Sequence, residues 1–222
     1  MPAESALRDR DSAHYELIET LRWECGAGFL RGERHVARMR ASADALEFAW
    51  TDGAAEAALA NAVATAESEM LRVRLTLDGS GAAQCTTAPF QPLPADRVWN
   101  AKIAQARLAS NDPLLRHKTS RRAAYDAARA EYPTGEADEV LLLNERGEMC
   151  EGTITSLFLD MGDGGALLTP ALDCGLLAGV LRGWLIETGK AREEILTTAE
   201  LTRAKSIFLG NSLRGLIPAR LA

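Results

Sequence analysis

The sequence predicts an α+β fold in two lobes, and three observations carry that prediction. Short segments with the period-2 alternation of half-buried strands are interspersed with segments of helical spacing from residue 15 onward. Both kinds recur on either side of two stretches punctuated by Pro and Asp, 90–96 (FQPLPAD) and 109–117 (ASNDPLLRH). A chain of 222 residues, 47% hydrophobic and 25% charged, has the size and composition for one compact domain or two small lobes. The expected division is a small N-terminal α+β lobe over 1–108, a connector over 109–117 and a C-terminal lobe over 118–222.

In the first lobe, YELIETLRW (15–23) reads as a strand, and Gly26-Ala27-Gly28 turns the chain. Glu33 to Leu46 has helical spacing, with Val36, Met39 and Leu46 on one stripe. The alanine-rich run from Ala54 to Ser68 reads as a second helix. Met70 to Leu77 alternates as a strand, and Asp78-Gly79-Ser80-Gly81 makes a hairpin turn into Ala82–Pro89. VWNAKIAQARL (98–108) fits a strand or a short helix, and its pattern does not choose between them.

In the second lobe, Thr119 or Ser120 can cap a helix running to about Tyr132. EVLLLN (139–144) reads as a strand, ERGE (145–148) as a turn and GTITSLFLD (152–160) as the next strand. A Gly-rich turn, GDGG, leads into the short strand ALLTP (166–170). A helix over about Ala178–Thr188 and a small one near Ala199–Lys205 follow, and SIFLGN and GLIPARL close the chain.

Composition excludes several classes of function. The net charge of −6 argues against a nucleic-acid partner, because neutralising phosphates needs a basic surface. No apolar run is long enough to span a bilayer. The opening MPAESALRDRDSAHYE has charges but no apolar stretch, so no secretory signal is expected there and the protein is expected in the cytoplasm. Cys25, Cys85, Cys150 and Cys174 stand far apart without a CxxC pair, and three histidines are few for a metal centre; reduced thiols and no metal are expected.

Arg116-His117-Lys118-Thr119-Ser120-Arg121-Arg122 concentrates positive charge in an acidic protein. An isolated basic run is ordinarily a solvated face. This one precedes a predicted helix, where cations oppose the helix dipole. A site for anions would justify that placement, and so would a lysine meant to lose its proton: nearby cations lower a lysine pKa, and Schiff-base chemistry needs the free amine. Gly175-Leu176-Leu177-Ala178-Gly179-Val180-Leu181-Arg182 leads from a loop into a helix. The N–H groups at such a start can cradle a phosphate, although glycines also begin helices for packing alone. Gly210-Asn211-Ser212 either offers a hydroxyl to a phosphate or is simply a turn. Glu151 at a strand start, and Arg38 three residues after His35 on one helix face, read by themselves as surface residues.

Taken together, six segments in order resemble the class IV aminotransferases, the fold-type IV pyridoxal-phosphate enzymes, from about Tyr15 to the C-terminus. IETLRW is similar to the family's first-strand motif and ERHVARM to its His-x-x-Arg helix. HKTSRRAAYDAAR resembles the lysine segment and LLLNERGEMCEGTITSLFL the glutamate segment. LLTPALDCGLLAGVLR and FLGNSLRGLIPARL resemble the phosphate-loop and closing segments. HKTSRRAAYDAAR, LLLNERGE and GNSLRGLIPARL are most similar to the aminodeoxychorismate lyase module, including the version fused behind aminodeoxychorismate synthase. The chain begins close to the first motif, without the longer leader strands of free-standing members, as a released fusion module would.

The resemblance implies a two-lobe, D-amino-acid-aminotransferase-like fold, usually a homodimer, with pyridoxal 5'-phosphate bound in the C-terminal lobe. By position it implies that Lys118 holds the cofactor as a Schiff base and later shuttles protons. Glu151 would pair with the pyridinium nitrogen, Arg38 would hold the phosphate, Val180 and Leu181 would donate backbone N–H groups to it, and Ser212 its hydroxyl. This chain departs from the family at Ser156, where Asn is usual, and at Ala178, which replaces the phosphate-loop proline. The tyrosine that branched-chain aminotransferases carry five residues after the lysine is absent, that position being Ala123, and Arg122 falls where the lyases resemble one another.

Three activities are expected in descending order. The first is 4-amino-4-deoxychorismate lyase, which expels pyruvate and leaves 4-aminobenzoate for folate synthesis. That step needs an acid for the departing group; Thr20 stands where the lyases carry threonine and branched-chain aminotransferases glycine, although a buried strand threonine is as good a reading. Arg72 and Arg74, two residues apart on one strand face, would meet the substrate carboxylates or would simply be the polar side of an edge strand. The second is a transaminase of D-amino or branched-chain acids, which needs no leaving-group acid. The third is a cofactor-free relic acting as a binding partner, favoured only by Ser156 and Ala178. Association with aminodeoxychorismate synthase stays open.

Overall fold

The alternation along Met70–Leu77 decides the first sheet. Leu71, Val73, Leu75 and Leu77 are buried while Arg72 is exposed and Arg74 half-buried, so one face of the strand is apolar and the other polar. The computed structural model describes residues 15–133 and 135–222, and the charged opening segment, with its expected lack of a secretory signal, lies outside the described residues. Contacts divide the chain into two units, one running to Pro92 and including His117–Arg121, the other made of Leu93–Arg116 and Arg122–Ala222.

The first unit contains β1 (Leu17–Glu24), β2 (Gly28–Phe29), α1 (Gly32–Leu46), α2 (Ala54–Val63), β3 (Met70–Leu77) and β4 (Ala83–Pro89). They form an antiparallel sheet in the order β2-β1-β3-β4. The helices cover its apolar face: Met39, Ala43, Ala55 and Leu59 pack with Leu17, Leu21 and the β3 leucines. Burying each such leucine contributes about 1.5–3 kcal/mol. The second helix is shorter than expected, because its end tightens at Ala64 N to Asn61 O (3.3 Å) and Ala66 N to Val63 O (3.1 Å).

The second unit contains β5 (Trp99–Leu108), α3 (Ala123–Ala130), β6 (Glu139–Asn144), β7 (Met149–Gly152), β8 (Ser156–Asp160), β9 (Leu167–Pro170), α4 (Val180–Glu187), β10 (Ala191–Glu194), α5 (Thr198–Arg203), β11 (Ser206–Asn211) and β12 (Gly215–Leu221). Its mixed sheet runs β10-β9-β8-β11-β12-β5-β6-β7. The run EVLLLN is buried at every position, as a strand covered on both faces must be. Leu141 and Leu143 pack into one core, Val140 and Leu142 into another.

The structure settles one open reading and departs from others. Residues 98–108 settle as a strand, paired parallel with β6 and β12. A bulge between Ile103 and Arg107, whose free amides at Gln105 and Ala106 donate to Glu131 (2.5 and 2.8 Å), breaks the alternation and explains the ambiguous pattern. That strand belongs by contact to the second unit, whereas the expected boundary stood at residue 108. Neither Thr119 nor Ser120 caps α3, whose N-cap is Arg122 without a side-chain cap. GTITSLFLD is two strands, interrupted at 153–155. No helix among the described residues is long and apolar enough to cross a membrane.

Candidate functional site

The register of β1 on β3 sets Thr20 opposite Arg74 and Arg22 opposite Arg72. Directly opposed residues of an antiparallel pair share a face, with Cβ atoms about 4.5–5.5 Å apart. The face away from the leucine core therefore carries Thr20, Arg22, Arg72 and Arg74. Arg22, which the sequence does not single out, pairs with Glu24 at 2.7 Å and stands 5.6 Å from the Phe90 ring centroid.

Lys118 reaches the same face from the other edge of β1. Leu17 and Thr119 form an isolated antiparallel bridge, with Ile18 N donating to Lys118 O and Ser120 N to Glu16 O, both at 2.8 Å. Thr119 is buried beside Leu17, so alternation turns half-buried Lys118 to the side of Ile18 and Thr20. Backbone pairing to a strand, rather than a helix start, fixes the lysine. The two candidate caps are engaged elsewhere: Ser120 Oγ accepts from Glu16 N on that edge (2.9 Å), and Thr119 Oγ1 accepts locally from Arg121 N (3.2 Å).

Arg38 is anchored from the opposite, apolar face. Glu19, 1% exposed, accepts Arg38 Nε at 2.8 Å and Nη2 at 2.7 Å, and lies 2.6 Å from His35 Nδ1. Burial works to raise the Glu19 carboxyl, but the Arg38 charge and the hydrogen bonds from His35 and Arg38 outweigh it and hold it at about 2. Arg38 is thus no surface residue, its side chain being 13% exposed. His35 is named in the sequence only as the neighbour of Arg38, and Glu19 is not singled out. The available signal was an acid between two inward leucines, Leu17 and Leu21, of an alternating strand.

In the second unit Glu151 is also buried, which corrects its reading as a surface acid. It sits third in β7, and its Oε1 accepts from Tyr125 OH (2.7 Å) and from Leu177 N (3.0 Å). Burial first, then the Glu151 charge, pushes the Tyr125 phenol far above its ordinary range, so it remains a donor. Arg122 stacks over the Tyr125 ring at 4.9 Å.

Leu177 is three residues upstream of α4, so the bond to Glu151 ties the acid to the approach to that helix. The N-cap, Gly179, is extended and makes no side-chain cap, and the first N–H groups of a helix have no intrahelical acceptor. Val180 and Leu181 carry those groups. A Cβ at Gly210 would come within 2.9 Å of Leu181 Cδ2, so glycine there lets the first turn of α4 lie against the end of β11. Buried Ser212 follows two residues later, in the turn to β12. Within this unit, then, Glu151, Val180, Leu181 and Ser212 sit on connected elements; Thr20, Arg38, Arg72, Arg74 and Lys118 belong to the first unit.

Known proteins resemble this chain in sequence and in fold. A family model described as amino-transferase class IV matches residues 16–222. A provisionally named aminodeoxychorismate lyase of Schizosaccharomyces pombe is 30% identical over 187 residues, spanning 81% of this chain and 79% of its own. A provisionally named amino-acid aminotransferase of Mesorhizobium loti, a solved structure, has a TM-score of 0.90 at 52% identity and covers 94% of this chain and 100% of its own. The solved 4-amino-4-deoxychorismate lyase of Pseudomonas aeruginosa has a TM-score of 0.79 at 26% identity, over 96% of this chain and 86% of that one.

Proposed function

The chain belongs to the class IV amino-transferase family, a family of pyridoxal-phosphate enzymes of fold type IV, and from that premise we propose that it is a 4-amino-4-deoxychorismate lyase. The residues in place suit the cofactor. A buried acid fixed by two donors suits a protonated ring nitrogen, and a helix start without a side-chain cap beside a buried serine suits a phosphate. When bound, pyridoxal phosphate supplies an electron sink for the charge left on the substrate.

The chain's own residues do the rest. Lys118 would hold the cofactor through its ε-amine until the substrate's amine displaces it, and the amine so freed would take the substrate's proton. Glu151, oriented by Tyr125 and Leu177, accepts the ring N–H. Val180, Leu181, Ser212 and Arg38, the last oriented by Glu19, are the proposed phosphate donors. Thr20 gives a proton to the departing enolpyruvyl group, and Arg72 and Arg74 hold the substrate carboxylates. A homodimer in the cytoplasm, producing 4-aminobenzoate for folate synthesis, completes the proposal, with aminodeoxychorismate synthase as the partner of the fused relatives.

One observation carries the lyase reading: Lys118, Thr20, Arg72 and Arg74 share one face of the first sheet. Transamination needs no acid for a leaving group, whereas expelling an enolpyruvyl group does, and a hydroxyl on the lysine's face is placed to serve. A transaminase of D-amino or branched-chain acids is the second reading, favoured by the similarity to the Mesorhizobium loti protein. Thr20→Ala separates them. Pyruvate release from aminodeoxychorismate should fall on the order of 100-fold, the usual worth of a positioned acid, with amino-acid transamination unchanged. A wild type that transaminates but releases no pyruvate would replace the first reading with the second.

A further inference from the structure

Glu139, the first residue of β6, has no part in the chemistry above, yet it is fully buried and meets five donors. Its Oε1 accepts from Val140 N (2.9 Å), Thr153 N (3.0 Å) and Thr153 Oγ1 (2.5 Å), and its Oε2 from Ile154 N (3.1 Å) and Thr155 Oγ1 (2.7 Å). None of the five donors carries a charge. An apolar side chain would continue the run EVLLLN without the cost of burying an acid, so packing alone does not account for glutamate here.

The four donors beyond Val140 belong to residues 153–155, the stretch that interrupts GTITSLFLD. Amides and hydroxyls that a continuous strand would send elsewhere converge on one carboxylate. Gly152 makes this possible: a Cβ there would lie 2.7 Å from Glu139 Oε2 and 2.5 Å from Thr155 Oγ1.

The stretch so held borders the parts of the second unit's candidate site. Glu151 precedes it directly. Arg122 Nη2 donates to Thr153 O at 2.5 Å, and Asn211 Nδ2, next to Ser212, donates to Ile154 O at 3.1 Å. At its far end Ser156 Oγ would lie 2.8 Å from a Cβ at Gly179, the N-cap of α4. We propose that Glu139 is a positioning residue whose carboxylate clamps residues 152–156 and thereby holds Glu151 and the start of α4 for the cofactor. The inference rests on the cofactor reading given above.

Glu139→Gln keeps the volume but replaces one acceptor oxygen with an NH₂ group that faces donors. In the apo protein, the Thr153 and Ile154 amides should exchange with solvent at least about tenfold faster, the equivalent of one lost hydrogen bond to a charged group. On titration with pyridoxal phosphate, Kd should rise by at least about tenfold, and the pH midpoint of the bound cofactor's visible band should move, with far-UV circular dichroism unchanged. Thr155→Val, which removes one donor and keeps the shape, should act in the same direction and less, and it decides the matter if Glu139→Gln does not fold. Variants that melt earlier but keep wild-type Kd and pH midpoint would make Glu139 purely structural and overturn the inference while leaving the functional reading intact. A wild type that binds no pyridoxal phosphate would overturn both.

Discussion

Two of the buried acids, Glu19 in the first unit and Glu139 in the second, are satisfied by different means. Glu19 meets charge with charge: Arg38 grips it through two N–H groups and His35 through a third contact. Glu139 is satisfied by neutral amides and hydroxyls from one short stretch of chain. The first arrangement fixes the direction of a single guanidinium, and the second fixes the course of a backbone.

The largest expected effect breaks the charged half of the comparison. Arg38→Ala leaves Glu19 buried without its cation and should cost about 3–5 kcal/mol in urea unfolding of the apo protein. Adding Glu19→Leu should restore most of that loss. A double variant as unstable as the single would mean that the two acids are not held differently.

Acid should expose the same pair. The Glu19 carboxyl is depressed from 4.5 to about 2, so its contribution is fully present above the unfolded value and is lost as pH falls through the folded one. Unfolding followed from pH 6 downward should show about 3 kcal/mol lost over that window, and the Glu19→Leu/Arg38→Ala double variant should lack that part of the decline. An unchanged acid limb in the double variant would contradict the assignment. On the neutral side, Thr153→Val removes one donor to Glu139 and should cost a smaller 1.5–3 kcal/mol, roughly the worth of a hydrogen bond to a charged group.

How far the sequence could be read depended on how far away each residue's partner lies. Met70–Leu77 and EVLLLN declare their burial through their own patterns, and both strands stand where those patterns place them. Thr119 and Ser120 have the chemistry of helix caps, but pairing with a strand about a hundred positions earlier takes them instead. GTITSLFLD has the β-branched texture of one strand, and the break in it comes from an acid 14 positions back at Thr153. Arg38 and Glu151 read as exposed because Glu19 and Tyr125, the groups that bury them, are 19 and 26 positions distant. The cationic run around Lys118 was legible in the sequence, whereas the pairing that seats it beside β1 was not.

On the proposed function, Lys118 carries pyridoxal phosphate. The most direct test is an absorbance spectrum of the purified protein with added pyridoxal phosphate, wild type beside Lys118→Ala. The account predicts a band at roughly 410–430 nm from the lysine-linked cofactor in the wild type and none in the variant. No band in either protein, or the same band in both, would contradict it.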